Sequence, residues 1–141
     1  MVTHQLSVFL ENKSGRLTEV LETLGEENIR ITALTVADTA EFGILRLIVS
    51  EPEKAREILK QHSFTVHLSD VISIMAPGEA KYYAKVLKIL SDQLISVEYT
   101  YAFPSGDKSI IIIRCSNTDE AIKALKKHEM ELLKASDLFK I

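Results

Sequence analysis

A chain of 141 residues, 46% hydrophobic and 26% charged, has room for one ordinary domain or two very small ones and is too apolar to remain disordered. A net charge of −3 excludes a general electrostatic pull toward nucleic acid or an anionic membrane. The single cysteine, Cys115, excludes an intrachain disulfide.

Gln5 to Leu10 is apolar and β-branched enough for a strand. Leu17, Val20, Leu21 and Leu24 come next, at the i, i+3, i+4, i+7 spacing of one apolar helix face. Ile29 to Ala37 reads as a second strand, Asp38-Thr39-Ala40-Glu41 as a turn, and Gly43 to Val49 as a third strand. Ser50-Glu51-Pro52-Glu53 reads as a helix start, with Ser50 as cap and Glu53 completing a capping box. Ala55, Ile58 and Leu59 form that helix's inner face, and Phe64 to Leu68 is a fourth strand.

The same order then recurs. Val71 to Met75 reads as a strand, Tyr83, Val86, Leu87 and Leu90 as a helix face, and Ile95 to Phe103 as a strand. Pro104-Ser105-Gly106-Asp107 is a turn, and Ser109 to Cys115 a strand. Asn117 or Ser116 caps the next helix, whose inner face is Ala121, Ala124 and Leu125. A last strand is expected within Glu131 to Leu138.

The recurrence is also legible residue by residue. At an offset of 66, Val20, Leu21, Leu24, Ile29 and Ile44 fall on Val86, Leu87, Leu90, Ile95 and Ile110. Ser50, Ala55, Leu59, Lys60 and His62 fall on Ser116, Ala121, Leu125, Lys126 and His128. The expected fold is therefore α+β: two ferredoxin-like βαββαβ modules, residues 1–70 and 71–141, each an antiparallel sheet with its helices on one face. Ser69-Asp70-Val71 leads almost directly from one module into the next. Ile110 to Ile113 is apolar on both sheet faces, so more than the helices must cover these sheets. Pairing of the two modules is expected to supply part of that cover, and a second chain in a homodimer the rest.

The first strand–helix junction reads Leu10-Glu11-Asn12-Lys13-Ser14-Gly15-Arg16-Leu17. It resembles the ACT-domain signature, with Asn12, Gly15 and Leu17 matching and Ser14 standing where the family commonly has proline. Ile95 to Phe103 is similar to the strand "IxxEYxYAF" of stand-alone proteins with two ACT domains. The resemblance implies a regulatory protein that binds a small ligand, such as a free amino acid, where two modules pair. Asn12, Lys13, Ser14, Gly15, Arg16 and Leu17 would come from the loop, and Glu98, Tyr99, Thr100 and Tyr101 from the facing strand. Physical chemistry supports the loop: glycine lets a backbone approach a ligand, and the free N–H groups of a helix start attract a carboxylate. The alternative is a plain capped helix with Ser14 as N-cap. In the second copy Lys81 stands opposite Gly15, so one type of site per chain is expected.

Catalytic and metal-binding signatures are not found. His4, His62, His67 and His128 lack metal-motif spacing, and no phosphate-binding, dinucleotide or nucleophile motif occurs. No enzyme activity and no cofactor are expected. His62 and His128 sit at helix ends, where an interaction with the last carbonyls accounts for them. An RNA-reading sheet would surround Tyr99, Tyr101 and Phe103 with basic residues, whereas Glu98 is adjacent; nucleic acid is not an expected partner. No apolar run reaches the roughly 20 residues of a membrane span, and Met1 to Gln5 lacks the pattern of a signal peptide, so a cytoplasmic location is expected. The competing functional reading is a docking module that regulates a separate metabolic enzyme without a ligand of its own.

Overall fold

The computed structural model describes residues 2–11, 15–38 and 42–139. The chain divides into two compact units, His4–Ser69 and the residues from Asp70 onward, with the chain start as far as Thr3 grouped with the latter. The first contains β1 (Thr3–Glu11), α1 (Arg16–Glu26), β2 (Ile31–Asp38), β3 (Phe42–Val49) and α2 (Pro52–Gln61). Strand β4 (Thr65–Ala76) runs through the division, ending one unit and beginning the other. The second unit continues with α3 (Ala80–Asp92), β5 (Val97–Ser105), β6 (Lys108–Cys115), α4 (Thr118–Lys127), β7 (Glu131–Leu133) and α5 (Ala135–Leu138). Strand order is β2-β3-β1-β4 in the first unit and β7-β4-β6-β5 in the second. Both are ferredoxin-like, and the pairings β1–β3, β2–β3, β4–β6, β4–β7 and β5–β6 are antiparallel.

Each unit has its own core, and the repeat explains why the two look alike. In the first, Leu6, Val8 and Leu10 of β1 and Leu45, Leu47 and Val49 of β3 meet Val20 and Leu24 of α1 and Ala55 and Leu59 of α2. In the second, Ile72 and Ile74, Ile111 and Ile113, Val86 and Leu90, and Ala121 and Leu125 take the same places. Alternate strand residues supply these cores, as the two-residue period of a strand requires. The opposite faces are also apolar: Ile110 and Ile112 are fully buried, as the sequence anticipated, and so is Ile48 in the first unit.

The same geometry closes all four long helices. After α1, Ile29 N–H donates to Leu24 O and Asn28 N–H to Gly25 O, the double bond of a Schellman motif. Phe64 and Ser63 do this after α2, Ile95 and Leu94 after α3, and Met130 and Glu129 after α4. Each motif bends the chain through a left-handed residue: Asn28 at φ 56°, Ser63 at 65°, Leu94 at 59° and Glu129 at 58°. Each then drives a large apolar residue (Ile29, Phe64, Ile95 or Met130) into the core. None of the four left-handed positions is glycine. Leu94, 92% exposed, contributes almost no packing, so Leu94→Gly relieves backbone strain and loses nothing else in the folded state. A net stabilisation of about 0.5–1 kcal/mol is expected after the added unfolded-state entropy of glycine. A urea-denaturation midpoint shifted downward would contradict it.

The structure departs from the sequence reading in several places. Ser50 does not cap α2: Glu51 occupies the cap position without a side-chain bond. The Ser50 hydroxyl instead accepts from Arg30 N–H at 3.0 Å, and Ser116 accepts from Ser96 N–H at the same distance one repeat later. These hydroxyls tie the end of one strand to the start of its neighbour. Asn117 does cap α4, accepting from Glu120 N–H at 3.1 Å. The final strand has three residues, after which Ala135–Leu138 coils into a short helix that buries Leu138. The two strands expected at Phe64 to Leu68 and Val71 to Met75 are one, running unbroken over Thr65–Ala76 and leaving Phe64 just before it. The β5–β6 hairpin closes on Gly106-Asp107 alone, since Pro104 and Ser105 pair with Ser109 and Lys108. Thr39 to Glu41 of the expected turn lie outside the described residues.

Candidate ligand site at the start of the first helix

Helix α1 begins at Gly15, which takes a left-handed conformation (φ 89°, ψ −6°) and is capped by no side chain. Glycine is the residue for which that conformation carries no steric penalty. The Gly15 carbonyl accepts from Glu19 N–H at 2.9 Å, while the first amides of the helix have no partner within it. A Cβ at Gly15 would meet nothing within 4 Å, so the junction is open. Asn12, Lys13 and Ser14 lie outside the described residues.

Arg16 is the first residue of the helix. Its guanidinium lies over the ring of Phe64, 4.1 Å from the centroid, a cation–π arrangement. Arg16 Nη1 donates to Glu19 Oε2 at 2.9 Å, while its Nε is buried without a hydrogen-bond partner. The ring beneath it is placed by the Schellman turn after α2. Beside Arg16 opens a cleft of about 230 Å³, whose wall includes Phe9 and Glu11 of β1, Phe42 of β3, and Ser63 and Thr65. Phe9 and Phe42 stand 5.8 Å apart between ring centroids, tilted by 56°. The cleft collects these residues because β1 ends, and β3 and β4 begin, at one end of the first unit's sheet. Leu17 is 36% exposed on α1.

The facing-strand residues lie in the second unit. Glu98 makes an ion pair with Arg114, Oε2 to Nε 3.4 Å, and Arg114 Nη1 donates to Asp70 O at 2.8 Å. Tyr99 and Tyr101 are half-buried, and Thr100 between them is exposed, its hydroxyl donating to Ile112 O at 2.8 Å. Thr100 and Tyr101 line an apolar cleft of about 240 Å³ with Tyr83 and Leu87 of α3, Ala102 and Ile111. Tyr99 and Glu98 do not line it. Sequence reasoning missed Phe64 as the ring beneath Arg16, and Phe9 and Phe42 as part of the same cleft lining. The available signal was that three of the chain's five phenylalanines fall in the first copy at strand ends.

Other chemistry is limited. Among the described residues no group of three or more His, Cys, Asp or Glu is placed to hold a metal ion, and no helix is long and apolar enough to cross a membrane. Burial pushes the Cys115 thiol above its ordinary range, away from the reactive thiolate. His62 and His128 bring Nδ1 to 2.9 Å from Ile58 O and Ala124 O, the helix-end contact expected of both.

The chain is thus two ferredoxin-like units in tandem, the first opening its first helix on a left-handed glycine. Residues 1–141 match the family model described as "ACT domain pair", and the chain belongs to that family. The solved structure of protein BT0572 from Bacteroides thetaiotaomicron is 50% identical, with a TM-score of 0.93 over 100% of this chain and 98% of that one. The regulatory subunit of aspartate kinase from Thermus thermophilus shares the fold at 17% identity, with a TM-score of 0.66, covering 89% of this chain and 93% of that one. Among curated proteins, the acetolactate synthase small subunit of Buchnera aphidicola subsp. Baizongia pistaciae (strain Bp) is 26% identical, covering 86% of each protein.

Proposed function

We propose that this ACT domain pair is a non-catalytic regulatory protein that binds a free amino acid at the β1–α1 junction of its first module, and that residues 1–70 and 71–141 are its two modules. The observation that carries the reading is Gly15: a left-handed, uncapped helix start in a signature loop of this family. The ligand carboxylate meets the amides of Gly15, Arg16 and Leu17, with Asn12, Lys13 and Ser14 completing the loop. Glu98, Tyr99, Thr100 and Tyr101 form the facing strand, supplied where modules pair. The second-copy loop, with Lys81 in place of Gly15, holds no equivalent site. The names of two relatives support the role, one being a regulatory subunit and the other the small subunit of a biosynthetic enzyme. A cytoplasmic location goes with that role.

Leu34 and Val36, 48% and 43% exposed on strand β2 at one end of its sheet, favour a protein partner as well. A second copy of the chain is the first candidate, because edge strands with exposed apolar side chains pair readily. A separate metabolic enzyme regulated without a ligand is the competing reading.

A thermal-shift screen against the twenty amino acids, on protein whose mass is measured by light scattering, tests the proposal. One or a few amino acids should stabilise the protein in proportion to ln(1 + [L]/Kd), about 2.7 kcal/mol at a hundredfold excess over Kd. Stabilisation by none, together with recovery of a bound enzyme, would transfer the assignment to the docking module.

A further inference from the structure

We infer that the edge of the first unit formed by α1 and β2 docks on the edge of the second unit formed by α3 and β5 in another copy of this chain, so that unlike units pair. The inference rests on the reading above in which a second copy covers β2, and names the surface that β2 meets. Three observations carry it.

The first is exposure. Strands β2 and β5 are the end strands of the sheet order, and end strands carry a row of free backbone groups. Leu34 and Val36 of β2 lie opposite Leu47 and Leu45, and Thr100 and Ala102 of β5 lie opposite Ile113 and Ile111. Those four partners belong to the two cores. Leu34, Val36, Thr100 and Ala102 therefore continue the core faces outward, and all four are exposed. Leu17 on α1 and Leu87 on α3 are exposed as well.

The second is shape. At the offset of 66, Leu34 and Val36 fall on Thr100 and Ala102, and Leu17 and Leu21 on Tyr83 and Leu87. The smaller β5 side chains leave an apolar cleft of about 240 Å³, with Tyr83, Leu87, Thr100 and Ala102 in its wall. The first unit presents an aliphatic ridge at the equivalent place. A ridge set into the cleft fills it, whereas two clefts face to face enclose a void whose lining forgoes its contacts.

The third is charge. Helix α1 carries Glu19, Glu22 and Glu26 with one cation, Arg16, which is bonded to Glu19. Helix α3 carries Lys81, Lys85 and Lys88 with one anion, Asp92. Glu19 and Glu22 fall on Lys85 and Lys88, so the repeat reverses charge at equivalent exposed positions. Glu22 directly follows Leu21, and Lys88 directly follows Leu87. Lys88 also reaches Asp92 at 3.3 Å, an exposed pair that contributes little. Like units would set glutamate against glutamate or lysine against lysine, and unlike units match the signs.

Sedimentation equilibrium of the full chain tests this on wild type, Leu34→Asp, Glu22→Lys, Lys88→Glu and an equimolar mixture of the last two. All three positions are exposed, so urea midpoints should match wild type. Wild type should self-associate at micromolar concentration, and Leu34→Asp should not. Each charge variant alone should self-associate about tenfold more weakly, because its two docking edges then carry like charge. The mixture should regain wild-type affinity, since the two altered edges again have opposite signs, as do the two unaltered ones. A mixture no tighter than its components, or charge variants as tight as wild type, overturns this inference and leaves the second-copy reading standing. A wild type that stays monomeric overturns both.

Discussion

Gly15→Asp is expected to abolish amino-acid binding while costing the fold only about 1–2 kcal/mol. The small cost comes from the backbone. At φ 89° any L-residue is strained, by roughly 1–2 kcal/mol, but a Cβ there touches nothing within 4 Å, so no packing is disturbed. The large effect on binding has a different origin: a carboxylate is placed where the ligand's own carboxylate meets the helix amides. Gly15→Ala separates the two effects, because it carries the same backbone strain without the charge. Calorimetry should show binding lost in the aspartate variant and largely kept in the alanine variant, with similar urea midpoints. Equal affinity in wild type and Gly15→Asp would move the ligand away from this junction.

The second large effect is expected at Phe64. Its ring is 4% exposed, it comes directly after the left-handed Ser63, and its amide closes the α2 Schellman motif by donating to Leu59 O at 3.0 Å. Phe64→Ala should destabilise the protein by about 3–5 kcal/mol, the usual result of emptying a buried phenylalanine site. Arg16 would also lose the surface on which it stacks, a contribution of about 0.5–1 kcal/mol. Phe64→Leu keeps most of the buried volume and removes only the aromatic face, so it should be far milder in stability while still weakening amino-acid binding. Denaturation and titration of the two variants together distinguish the ring's packing from its support of Arg16. A loss under 1 kcal/mol for Phe64→Ala would contradict the packing described.

Core residues were legible because the signal is periodic and doubled: Leu24 and Leu90, or Leu59 and Leu125, announce the same buried place twice. The loop at Gly15 was legible from residue type, since a glycine between a strand and an amphipathic helix marks a special backbone. The helix ends were not. A left-handed Leu94 or Glu129 leaves no trace in composition, because the conformation is imposed by the next apolar residue, which must reach the core. The role of Ser50 was misread for a related reason. Its hydroxyl has two backbone donors within reach of such a residue type, the helix start and the neighbouring strand, and only the fold decides between them. The Phe9–Phe42 contact and the stack of Arg16 on Phe64 were hidden because these residues are far apart in sequence and are brought together only by the fold. The last strand lies within Glu131 to Leu138 as expected, but only its first three residues pair with β4. Ala135–Leu138 then coils because Asp137 can accept from Lys134 N–H at 2.9 Å.

The central claim is that an amino acid is held at the start of the first helix. Backbone amide NMR of the isotope-labelled protein, titrated with the amino acid that gives the largest thermal shift, tests it directly. Saturable shifts centred on the amides of Gly15, Arg16 and Leu17 are predicted. Saturable binding that leaves those three amides unmoved would contradict the account.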